Sequence, residues 1–249
     1  MPRSPRTSTL LAGLLIAGAV QAGAVQTAPL QYQFSAMHLG ELVPAGDGNY
    51  TLVAESEYLI ANGVTTSGTF FYDNSVNAFA TDLYDIEFAA FGRFSVYDSA
   101  ATRIDGSIAA LGYGYGATSG YTVVANSNQG ERTDMDGVFN TAGSFNGSSA
   151  GAGFHGFSIG DYTLVSLNIF TLGPFDYLAD QALPDTLRDG GFNTGVNLIF
   201  KDSQQQMRVV QFYAGSLAPV PGPTSGLLLG SGLLALASSA RRRQDKKRR

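Results

Sequence analysis

The chain has 249 residues, no cysteine and no tryptophan, and its formal net charge of −5 is spread unevenly. Residues 23–219 hold six basic and 19 acidic side chains, a net charge of −13, whereas the last nine residues hold seven basic ones. That distribution excludes nucleic acid as a partner of the central part, and the lack of cysteine excludes disulfides and thiol chemistry.

At the N-terminus, Arg3 and Arg6 precede an apolar stretch at 10–20, and Val20, Ala22 and Ala24 offer small residues for cleavage after Ala22 or Ala24. A basic start, a short apolar run and a small-residue exit predict a secretory signal peptide over residues 1–22. About 11 apolar residues are too few for an ordinary membrane span. Residues 23–219 are therefore expected to form an exported domain, large enough at roughly 200 residues to bury a core without disulfide support.

Within that domain the periodicity is that of strands. Runs rich in β-branched and aromatic residues begin at Tyr50 (YTLVAESEYLI), Val64 (VTTSGTFFYD), Asp85 (DIEFAAFGRFSVYD), Tyr121 (YTVVANS) and Tyr162 (YTLVSLNIFTLG), with turn residues between them. The Gly- and Ser-rich stretch at 141–156 reads as a mobile loop. Residues 179–191, with Pro184 and Asp185 at a helix start and a glycine pair after Arg188, predict a single helical turn. A hairpin follows over 197–213, where Lys201 to Gln204 separates two alternating strands. The fold class expected is all-β: an antiparallel β-sandwich, jelly roll or related barrel.

Side chains that could carry chemistry are few. His38 and His155 have no second histidine at ligand spacing, which argues against zinc. Ser119 and Ser158 lack the G-x-S-x-G context of a nucleophile elbow. Asp82, Asp85 and Glu87 cluster in DLYDIEF, and Asp85 and Glu87, two apart, share a strand face; paired acids of this kind serve glycoside hydrolysis but more often form a solvated face. Asp134, Asp136 and Gly137 have the flavour of a calcium loop without its remaining ligands, so an acidic turn is the simpler reading. Tyr113 and Tyr115 in GYGYG, with Tyr121 close behind, offer ring faces for sugars, while Gly112, Gly114 and Gly116 permit close backbone approach. No catalytic residue, cofactor or metal site is assigned.

The C-terminus is the most specific region. Val220, Pro221, Gly222 and Pro223 precede an apolar segment at 226–240, and Arg241, Arg242, Arg243, Lys246, Lys247, Arg248 and Arg249 close the chain. Fifteen helical residues reach about 22 Å against a hydrocarbon core of about 30 Å, so the span is short. Basic residues beyond it resist translocation and snorkel, which lengthens the effective span and predicts a C-terminal transmembrane helix.

This order of motif, helix and arginine cluster resembles the PEP-CTERM sorting tail of exported bacterial proteins, with Gly222 where that family usually has glutamate. The strand ending at Ser67 to Asp73, the ALP at Ala182 to Pro184 and the final hairpin running into the VP motif are similar to β-rich ectodomains found before such tails. The resemblance implies processing by an exosortase at the sorting motif of 220–223 and transfer to the envelope or to extracellular polysaccharide. The expectation is an exported, surface- or matrix-associated protein of non-enzymatic, structural role, its domains being 1–22, 23–219 and 220–249. The alternatives are a carbohydrate-binding or adhesion module and, further off, a secreted glycoside hydrolase using Asp85 and Glu87.

Overall fold

The computed structural model describes residues 29–46, 49–84, 93–126, 135–145, 148–150, 153–174, 177–187 and 193–220. The expected signal peptide and everything after Val220 lie outside them. Among the described residues no helix is long and apolar enough to cross a membrane.

The described residues form twelve strands: β1 (Leu30–Gly46), β2 (Asn49–Leu52), β3 (Thr65–Tyr72), β4 (Ala78–Tyr84), β5 (Arg93–Ile108), β6 (Tyr113–Asn126), β7 (Met135–Phe145), β8 (Ser148–Ala150), β9 (Ser158–Ile159), β10 (Tyr162–Pro174), β11 (Asn193–Lys201) and β12 (Met207–Pro219). Eight of them pair antiparallel in chain order, β1 to β3, β5, β6, β7, β10, β11 and β12. The first and last also pair, from Tyr32 with Pro219 to Leu42 with Val209, so the sheet closes on itself. The closing pairings leave no free edge among these eight strands, and β2, β4, β8 and β9 attach to it as short additions. The all-β, antiparallel expectation holds. Neighbour-to-neighbour pairing is that of a meander barrel rather than a jelly roll, and its opposite walls pack across the core as the layers of a sandwich would.

Alternation in sequence decides which side chains enter the barrel. Along β1, Tyr32, Phe34, Ala36 and His38 are buried while Gln33, Ser35 and Met37 face out. An eight-stranded ring is just wide enough for its side chains to fill. Tyr32 stacks on Phe70 with ring centroids 5.6 Å apart and meets Tyr72 edge-on at 6.2 Å. Further along the barrel lie Ile104, Leu167, Leu198, Phe200 and Phe212, each at most 1% exposed. Tyr115 needs more room than the wall provides. Its partner across the β5–β6 ladder is Gly106, where a Cβ would strike the tyrosine ring.

Three local expectations are corrected. The run from Tyr50 to Ile60 is a strand only as far as Leu52; beyond a 3₁₀ turn at Glu55–Glu57 it folds across the barrel mouth, and Ile60 is 1% exposed. The stretch 141–156 is not a loop throughout, because β7 runs to Phe145, β8 follows, and His155 bridges Gly116. Small residues suit β7, which is paired on one side with β6 and on the other with β10. Residues 177–187 form bends rather than a helical turn, with Pro184 and Asp185 inside a second plug. The expected hairpin is present, with its turn at residues 202–206. Asp202 sets that turn by accepting the N–H groups of Gln204 and Gln206, each at 2.8 Å.

Candidate functional site

Polar side chains at the two barrel mouths hold the plugs, and this accounts for most of the buried chemistry-bearing groups. At the mouth where the barrel begins and ends, Asp136 accepts the Leu178 N–H at 2.8 Å and Asn126 donates to the Leu178 carbonyl at 3.0 Å. The phenols continue the pattern: Tyr97 donates to Gln181 O at 2.7 Å, Tyr72 donates to Pro184 O at 2.9 Å, and Tyr32 accepts from Leu187 N at 2.8 Å. Burial pushes all three tyrosines above their ordinary range, so they act as neutral hydrogen-bonding groups. Above them the plug forms a depression of about 350 Å³ lined by its own residues, among them Tyr177, Leu183 and Pro184.

At the opposite mouth the anchor is Glu41, fully buried on β1. Its carboxylate accepts Leu59 N–H at 2.8 Å and Ile60 N–H at 2.7 Å, and Arg208 approaches at 3.5 Å while donating to Glu57 O at 2.8 Å. Burial raises the Glu41 pKa, and the two amides and the guanidinium oppose that rise. His38 lies beside it, Nε2 3.6 Å from Glu41 Oε1, packed edge-on against Tyr58 and Phe212. Burial lowers the His38 pKa; the carbonyls of Ala61 and Gly40 partly offset this, though neither ring nitrogen makes a hydrogen bond of good geometry. The cluster is a clamp on residues 53–64, and its carboxylate is fully engaged by the chain itself.

The candidates from sequence separate accordingly. His38 is inside one mouth, whereas His155 is exposed and stands over Gly116 on the outer wall. Ser158 is exposed and shares a hydrogen bond of 2.9 Å with Thr163. Ser119 sits on β6 opposite Thr102. Asp136 is a buried plug anchor on a strand, which corrects both the calcium-loop and the acidic-turn readings. Asp134, Asp85 and Glu87 lie outside the described residues, and so do Pro221, Gly222, Pro223 and the basic cluster; Asp82 is on β4. Among the described residues no three His, Asp or Glu side chains stand close enough to hold a metal ion.

The sugar-stacking reading of Tyr113 and Tyr115 is also corrected. Tyr115 is buried in the barrel with its hydroxyl 2.6 Å from Thr66 Oγ1, and the Tyr113 ring is stacked on Phe157 at 4.4 Å. Gly106 on β5, rather than the glycines that alternate with the tyrosines, makes room for the Tyr115 ring.

Another surface has the chemistry that those tyrosines lack. Register places Tyr121, Thr141, Asn168, Asn197 and Gln211 directly opposite one another in a single row across β6, β7, β10, β11 and β12. These positions alternate with core residues such as Val124, Ala142, Leu167, Leu198 and Phe212, so the row faces outward. Asn168 donates to Thr141 Oγ1 at 3.0 Å, and Gln211 donates to the Tyr213 hydroxyl at 2.8 Å. On one side runs an apolar row that includes Phe139, Phe170, Tyr213 and Met37, with Phe170 lying over Gly195. On the other side stand Ile199, Val209, Leu42 and Leu52. Tyr50 and Tyr121 border a groove of about 260 Å³ over the polar and aliphatic rows. Sequence reading missed this panel, since its residues are spread between 37 and 213 and meet only through register. No family model, curated protein or solved structure matches the chain.

Proposed function

We propose that this chain is an exported, non-enzymatic protein, delivered through its C-terminal tail to the cell envelope or to extracellular polysaccharide. The observation that carries the reading is the place where the barrel ends. The Val220 N–H bonds Gln31 O at 2.7 Å, completing the β1–β12 seam at the first residue of the VPGP motif. The described seam thus ends where the proline-bounded segment begins, and that segment, the apolar run and the basic end are the parts the reading assigns to sorting. Leu30 lies beside the same seam, so leader and tail join the domain at one pole. The engagement of Glu41 and Asp136 in holding the plugs supports a structural role, because neither is left to act on a substrate.

In the resembled family glutamate stands at position 222, so Gly222 gives a processing enzyme of the exosortase class a weaker substrate, and a fraction of the chain stays anchored through residues 226–240. The test compares the natural tail, Gly222→Glu, and Pro221→Ala with Pro223→Ala, in a host that carries such an enzyme. One epitope follows Arg249 and one lies near Thr27. The expected order of C-terminal epitope loss is Gly222→Glu, natural tail, double proline variant. Retention of both epitopes in the membrane fraction for all three chains would leave the tail a plain anchor and defeat the proposal.

A further inference from the structure

We infer that the outward panel of β6, β7, β10, β11, β12 and β1 is a binding surface for a neutral glycan chain, laid across the strands along the row Tyr121, Thr141, Asn168, Asn197 and Gln211.

Charge is the first argument. The domain of residues 23–219 carries a net charge of −13, yet the three rows hold no Asp, Glu, Lys, Arg or His from β6 to β12 and β1, and Asp98 on β5 stands only at the end of the polar row, opposite Tyr121. A cationic partner would be drawn to the acidic surface elsewhere, and an anionic one would be repelled by it. What the panel suits is an uncharged ligand.

The arrangement of the rows is the second. A pyranose presents hydroxyls at its edge and C–H groups on its faces, and the panel presents amides and hydroxyls in one line with aromatic and aliphatic side chains on both sides. Each asparagine amide offers two donors and an acceptor, and Asn168 Oδ1 and Asn197 Oδ1 are buried without a hydrogen-bond partner, a lack that a hydroxyl entering the groove makes good. Strands stand about 4.8 Å apart, close to the advance of one sugar unit along a chain, so successive units meet successive side chains of the row. The groove of about 260 Å³ bordered by Tyr50 and Tyr121 holds the ring that is bound most deeply. Tyr50 is 44% exposed and projects from the β2 hairpin, where its ring is available to lie on a sugar face.

This goes beyond the sorting proposal and is independent of tail cleavage, since binding is measured on the purified chain. The full chain is titrated with a neutral β-linked glucan hexamer and with an oligogalacturonate of equal length. Binding is followed by tyrosine emission, which no tryptophan masks, and by retardation in glycan-loaded gels. The expected result is saturable binding of the neutral chain alone, weakened at least fivefold by Tyr50→Ala and by Asn197→Ala. Tyr50→Ala alters an exposed hairpin residue and leaves the barrel pairing intact, so its effect is readable even if Asn197→Ala disturbs folding. Absence of neutral-glycan binding, equal binding of the anionic chain, or binding indifferent to Tyr50→Ala would each overturn the assignment. So would self-association without glycan binding that Tyr50→Ala abolishes, which would give the panel to a second copy of the chain.

Discussion

Replacing Glu41 with alanine tests whether one buried carboxylate holds the plug at residues 53–64. The substitution removes the acceptor for Leu59 N–H at 2.8 Å and for Ile60 N–H at 2.7 Å. Ile60 is 1% exposed, so its amide has no ready access to water. A buried donor left without a partner costs about 1–3 kcal/mol, and two such donors give about 2–6 kcal/mol. Arg208 adds less, because its guanidinium is partly exposed and keeps its bond to Glu57 O at 2.8 Å. Glu41→Gln keeps one carbonyl acceptor in the same volume and should cost about half as much. The assay is urea unfolding of the full chain. With a slope of about 2–3 kcal/mol/M for a domain of this size, the alanine variant should lower the midpoint by about 1–3 M. A loss below about 1 kcal/mol for alanine, or a glutamine variant no better than alanine, would mean that the plug is held by Ile60 packing and that the carboxylate is incidental.

The same mouth should respond to acid. Burial holds His38 below its ordinary value of 6.5, so its contribution is fully present above that value and is lost as pH falls toward the lowered one. Glu41, raised by burial, runs the opposite way: its contribution is present below the ordinary carboxylate range and lost as pH rises through the raised value. His38→Phe keeps the ring contacts with Tyr58 and Phe212 and should abolish the stability loss just below pH 6.5 in melts across a pH series; an unchanged slope would count against it. In the barrel wall, Gly106→Ala drives a methyl group into the Tyr115 ring and should destabilise by about 1–3 kcal/mol. An alanine variant as stable as the parent by urea unfolding would show that the ring has room to move.

Elements whose burial alternates were legible in the sequence. The hairpin of β11 and β12 and the strands β3 and β10 appear where β-branched and aromatic residues alternate between turn residues. The stretch after Tyr50 has the same composition and departs from it. Its backbone is captured by Glu41, 18 residues before Leu59, and no local pattern records a partner that distant. The loop reading of residues 141–156 failed for the converse reason: Gly and Ser are poor strand formers alone, but β7 lies between β6 and β10, and pairing on both edges outweighs propensity.

The panel shows what alternation cannot convey. Tyr121, Thr141, Asn168, Asn197 and Gln211 each read as one polar outward residue of a strand, and nothing in any single strand distinguishes them from Gln33 or Ser67. They become a row because each successive strand is paired in a register that brings its own member level with the last. A shift of one residue would turn that strand's core side chains outward, so burial of Leu167, Leu198 and Phe212 fixes the row as firmly as it fixes the core. An uncharged, hydrogen-bonding line flanked by apolar side chains on an acidic barrel is thus a product of the packing that closes the barrel.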